Sequence, residues 1–204
     1  SSAASDVYKR QVYAGEGEVM EQRNWHRQTS VHNTVTLDNK NLETTESVTK
    51  LWQPEGNIQT LVTENPSYKN FKHRRSVFFV DNTYFVIVDE VSGSAKGSVN
   101  LHYQMPKGEI ANSREDMTFL TQFEDGSNMK LQCFGPEGMS MKKEPGWCST
   151  AYRKRYKRMN VSFNVKKDNE NAVRYITVIY PVKKSADAPK FDAKFKNCLL
   201  YTSP

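Results

Sequence analysis

The stretch RSVFFVDNTYFVIVDEV, residues 75–91, decides the fold. Its two halves are dense in Val, Ile, Phe and Tyr, which suit a pleated, at least half-buried surface. Between them stand Asp81 and Asn82, residues that tolerate positive φ, so the stretch reads as a β-hairpin. Its strands are apolar on both faces, as strands are in mid-sheet or where they face another domain. A second hairpin follows the same logic: MTFLTQF (117–123), a turn around Asp125-Gly126, then MKLQCF (129–134). TVTLD, IQTLVT, SVNLHYQ, RMNVSFNV and VRYITVIYPV complete a set of about nine short strands at sandwich-like spacings. No stretch sustains a helical stripe beyond about two turns. The expected fold is all-β, an antiparallel β-sandwich of two packed sheets.

The bulk numbers bound the rest. The chain has 204 residues, 11% aromatic and 37% hydrophobic, enough for one large domain. Mean hydropathy is −0.75, and no run approaches the roughly 20 apolar residues of a membrane helix, so no membrane insertion is expected. A net charge of +6 favours acidic partners. Nucleic acid is not expected among them, because no helix-turn-helix, zinc finger or RNP-type motif accompanies the charge. The three cysteines, Cys133, Cys148 and Cys198, form no CxxC pair. Buried free thiols are expected there, with a Cys133–Cys148 bridge left open. No metal ligand set and no cofactor motif is legible. Residues 1–11 (SSAASDVYKRQ) and 198–204 (CLLYTSP) look like adaptor-derived or floppy tails, leaving a body of 12–197.

Within that body, a two-residue period over 30–37 puts Val31, Asn33, Val35 and Leu37 on a core face. Ser30, His32, Thr34 and Thr36 then share the wet face, close in sequence to Arg23, Trp25 and Arg27. Cations, hydroxyls and an aromatic suit an anionic sugar. Taken alone, a histidine on a wet strand face is usually just solvated.

RNWHRQTSVHNTVTLDNKN (23–41) resembles the opening of the C-terminal β-sandwich of the heparinase II/III superfamily, its heparinase III branch above all. The likeness continues through NPSYKNFKHRRSVFFVDNTYFVIVDEV (65–91) and ITVIYPV (176–182). The resemblance implies a polysaccharide lyase that removes the C5 proton of a uronic acid and expels the 4-linked sugar. Its implied substrate is an acidic polysaccharide of the heparan sulfate or heparin type, and its implied compartment is the bacterial periplasm. In that family an N-terminal α/α toroid supplies a tyrosine and an asparagine, and the sandwich supplies a histidine. His32 occupies the motif position of that catalytic histidine. His73 matches a second one and, with Arg23, Arg27 and Trp25, is a candidate substrate contact; Arg74 and Arg75 are further candidate sulfate binders. The toroid has no counterpart in these residues, so the polypeptide alone is expected to be inactive. The likeness fades near Asn197, so a truncated C-terminal sheet edge is expected. A non-catalytic acidic-glycan-binding module and a purely structural platform are the rival readings.

AYRKRYKRMN (151–160) holds five basic residues from Arg153 to Arg158, with Tyr152 and Tyr156 interleaved. It reads either as a polyanion-binding strip or, the reading preferred here, as a solvated loop or edge strand. FGPEGMSMKKEPGW (134–147) reads as a turn-rich connection.

Overall fold

The computed structural model describes residues 18–43, 45–151, 154–183 and 188–195. The two expected tails and Cys198 lie outside them. A short helix, α1 (Glu18–His26), and a 3-10 turn (Thr29–Val31) lead into the strands. These are β1 (Val35–Leu37), β2 (Val48–Gln53), β3 (Ile58–Tyr68), β4 (Phe71–Val80), β5 (Tyr84–Ser92) and β6 (Gly97–Gln104). They continue as β7 (Glu109–Ser113), β8 (Thr118–Gln122), β9 (Asn128–Phe134), β10 (Ser140–Ala151), β11 (Lys154–Lys167) and β12 (Val173–Val182).

β4 and β5 form the expected hairpin, with Asp81 and Asn82 at φ 48° and 51°. They sit inside an eight-stranded sheet of order β2-β3-β4-β5-β12-β9-β8-β7. A four-stranded sheet, β1-β6-β11-β10, packs on it, and the pairings in both are antiparallel. Between the sheets lie Val35, Leu37, Val99, Leu101, Val161 and Phe163 from the small sheet. Val91, Phe119, Leu131 and Tyr175 meet them from the large one. The phenol of Tyr175 donates to the carbonyl of Val99 at 3.1 Å, tying the layers together.

The structure adds strands that the sequence pattern did not announce. β2 is exposed along its whole length, so no apolar face marks it. β10 runs through the segment read as a connection; as an edge strand it accommodates Pro145, whose missing N–H costs a central strand more. From Lys154 onward the basic run is strand paired on one side only, the edge-strand half of the preferred reading. It begins β11, which lies between β6 and β10. Residues 154–158 pair only with β10, because the β6 ladder starts at Asn160↔Gln104.

Candidate functional site

The segment before β1 is not the strand expected from the two-residue period. Thr29–Val31 curls into a 3-10 turn, and His32 closes it with its N–H on the Thr29 carbonyl at 3.1 Å. Only Val35–Leu37 is strand, and all three residues are buried. Thr36, expected on the wet face, is buried with its hydroxyl 2.9 Å from His102 Nε2. Asn33, expected in the core, is exposed. The curl, not strand alternation, turns the His32 ring to solvent.

The loop carrying His32 is held from both sides. Upstream, the Thr29 N–H donates to Asn41 Oδ1 at 2.9 Å, and the Leu42 N–H donates to Thr29 Oγ1 at 2.8 Å. Downstream, Asn33 Oδ1 accepts the Gln104 N–H at 2.6 Å, and Gln104 Nε2 donates to the Ser30 carbonyl at 3.0 Å. His32 Nδ1 lies 2.8 Å from the Gln28 carbonyl. A carbonyl can only accept, so Nδ1 carries the proton, and a neutral ring presents Nε2 outward as a lone pair.

Cations gather around this loop. Arg158, on β11, donates from Nη2 to Gln104 Oε1 at 2.9 Å and from Nη1 to the Met105 carbonyl at 3.1 Å. One glutamine thus joins the basic hairpin to the residues flanking His32. Burial lowers the affinity of His26 for a proton, and the charges of Arg158, Arg155 and His32 lower it further. Arg155 stacks over Trp147 at 4.0 Å, and Lys107 lies over Tyr156 at 4.7 Å. The end of the small sheet is therefore an electropositive rim with aromatic platforms, suited to carboxylates and sulfates on a sugar.

Of the sequence candidates, Trp25 is half-buried and packs edge-to-face on His26, with centroids 4.8 Å apart. Arg27 is exposed and Arg23 half-buried. His73 is elsewhere. It is 4% exposed, with Nε2 on Asp89 Oδ1 at 2.6 Å, so the reading of His73 as a direct substrate contact gives way to an interior role. Arg75 is also turned inward onto Asp89, at 2.7 Å from Nε and 3.1 Å from Nη2, and Arg74 faces Glu64 at 3.8 Å. Burial alone would raise the Asp89 pKa, but the charge of Arg75 and the His73 hydrogen bond hold it below the usual carboxylate range.

The sequence reading passed over His26, Asp89 and His102. For Asp89 the signal was present, an acid inside the apolar run VIVDEV. For His26 it was weaker: a second cation beside Arg23 in the last turn of α1. Among the described residues, no group of three or more His, Cys, Asp or Glu side chains is placed to hold a metal ion. Cys133 is free and buried, and Cys148 is free and half-buried. No helix among the described residues is long and apolar enough to cross a membrane.

Comparisons with known proteins converge. The model of a family described as heparinase II/III-like, C-terminal, matches residues 10–194. A heparin-sulfate lyase of Bacteroides stercoris is 88% identical over 186 residues, covering 91% of this chain and 28% of the lyase. One from Pedobacter heparinus is 35% identical over 173 residues, 83% of this chain and 26% of the lyase. Among solved structures, the heparinase III BT4657 gene product superposes with a TM-score of 0.88 at 99% identity, over 92% of this chain and 29% of that one. The heparan sulfate lyase HepC of Pedobacter heparinus superposes at 0.79 and 32% identity, over 84% and 27%. The chain thus spans less than a third of the length of these relatives.

Proposed function

Because the chain belongs to the heparinase II/III-like C-terminal family, we propose that it is the β-sandwich domain of a polysaccharide lyase. The substrate is heparan sulfate or a related uronic-acid polysaccharide, cleaved by β-elimination. The observation that carries this reading is the solvent-facing His32 ring, fixed through Nδ1 on an anchored loop beside a cationic rim.

The chemistry asks for what that loop offers. Removing the proton at C5 of a uronate builds negative charge next to an existing carboxylate. The C–H electron pair becomes the C4–C5 double bond as the C4–O bond breaks, and the departing oxygen takes a proton. A group must hydrogen-bond or neutralise the carboxylate, a base must take the C5 proton, and an acid must serve the leaving oxygen. His32 meets the first need when protonated, through Nε2–H to the carboxylate, and shares in proton transfer when neutral. Arg155 and Arg158 add a positive field that draws the polyanion and lessens the cost of the second charge.

The remaining groups, a tyrosine and an asparagine, belong by family resemblance to a toroid domain packed against this one. The 204 residues alone are accordingly proposed to be inactive, and the compartment, again by resemblance, is the periplasm. A second reading, a non-catalytic module that grips acidic glycans, draws on the Arg155–Trp147 and Lys107–Tyr156 stacks.

One experiment separates them. In a full-length chain carrying this domain, His32→Ala should lower the formation of ultraviolet-absorbing unsaturated uronate by about 10²- to 10⁴-fold. Retention on immobilised heparin should change little. Unchanged turnover, together with lost retention in Arg155→Ala, would establish the binding module instead.

A further inference from the structure

We infer that Arg75 is a positioning residue for His32, acting from the interior through the backbone of Asn33; the inference rests on the lyase reading of His32. The guanidinium has donors on two sides. One side is spent on Asp89, by Nε at 2.7 Å and Nη2 at 3.1 Å. The other reaches out of the sheet, where Nη1 donates to the Asn33 carbonyl at 2.5 Å. Asn33 directly follows His32, so the clamp acts on the peptide next to the imidazole.

The anchor beneath is rigid. Asp89 is fully buried on β5 and receives His73 Nε2 at 2.6 Å as well as the Arg75 fork. Its carboxylate stays ionised in the folded protein, because Arg75 and His73 overcome the cost of burial. A charge held by two strands of the large sheet therefore fixes the angle of the arginine. The Asn33 side chain, meanwhile, is gripped by the backbone of Gln104 on the small sheet at 2.6 Å. A single residue is thus pinned to both sheets, its carbonyl to one and its amide to the other.

The loop needs such pins. His32 and Asn33 are both exposed, so apolar burial does not fix them. A displacement of about 1 Å in a catalytic group can cost on the order of 10²-fold in rate, and hydrogen bonds from rigid elements are what prevent it. This also gives His73 a task without substrate contact: it shares Asp89 with Arg75 and keeps the acid in register.

The test uses a full-length chain carrying this domain. Arg75→Lys keeps a cation beside Asp89 but lacks the planar fork that serves both partners at once. It should lower kcat about tenfold or more with KM within about twofold, while hydrogen exchange of the 28–34 backbone quickens. In a His32→Ala background, Arg75→Lys should add nothing further to the loss of kcat, since both act through one imidazole. Should Arg75→Lys fold poorly, the uncharged pair Arg75→Gln/Asp89→Asn replaces it, with the same kinetic and exchange signature expected. If His32→Ala alone leaves turnover intact, the lyase reading falls and the positioning role with it. If His32→Ala cripples turnover but the Arg75 variants leave kcat and exchange unchanged, or multiply with His32→Ala, the lyase reading stands and the positioning role is overturned.

Discussion

His32 and His73 are both singled out by the resemblance, the first as the catalytic match and the second as a candidate substrate contact, yet their surroundings share almost nothing. His32 stands in solvent with one nitrogen on a backbone carbonyl. His73 is 4% exposed and shares a buried carboxylate with an arginine. The first is open to solvent and contributes little to holding the fold. The second is part of an ionic cluster whose removal strands a charge between two sheets. A motif match identifies a residue but not its partner; here the partner, Asp89, decides which imidazole is held inside the fold.

The sharpest way to break this contrast is through stability. Asp89→Ala removes the acceptor of both Arg75 and His73 and leaves the guanidinium partly buried without its counter-charge. Breaking one side of a buried ion pair costs about 3–5 kcal/mol, so urea unfolding should shift by that amount. In the same measurement His32→Ala should lie within about 0.5 kcal/mol of the parent chain. Equal effects would mean that the two histidines are not divided as described.

A third imidazole sharpens the comparison with a pH-dependent effect. His102 is 1% exposed, and burial lowers its pKa from 6.5 to about 4. The unfolded chain therefore binds this proton more readily than the folded one. Its stabilising contribution is complete above about pH 6.5 and is lost as pH falls toward 4, roughly 3 kcal/mol across the window. Asp89, also held below its ordinary range, extends the loss to lower pH in the same direction. Denaturation series between pH 7 and 4 should show this slope, and His102→Gln should flatten it.

What the sequence made legible follows from where periodicity operates. The hairpin of β4 and β5 and that of β8 and β9 were readable because runs dense in β-forming apolar residues and positive-φ turn residues agree there. β2 was not, since its residues VTKLWQ are all exposed and carry no facial signal. At the site, the exposure of His32 was expected, but for the wrong local reason. Strand alternation would also have put Thr36 in water, whereas the 3-10 turn at Thr29–Val31 breaks the register before β1 begins. Long-range hydrogen bonds leave no periodic trace. Gln104 reaching Ser30 and Arg75 reaching Asn33 cross 74 and 42 positions of chain, and only coordinates bring them together.

The smallest expected effect concerns the rim itself. If Arg155 and Trp147 form a platform for acidic sugar, Arg155→Ala should elute from heparin at lower salt. The dependence of binding on salt should also become shallower by about one unit or less in the double-logarithmic plot, by counterion release as in nucleic-acid binding. The corresponding energy is at most about 1 kcal/mol, because Arg155 is only half-buried and acts through largely screened charge. Arg174→Ala is the matched control. It also removes one cation, from β12 of the large sheet, on the strand face opposite the buried Tyr175. A positive rim at the His32 end requires the two variants to differ. Identical elution would reduce that rim to net charge spread over the whole surface, and the contrast between the His32 end and the rest of the molecule would then rest on the imidazole alone.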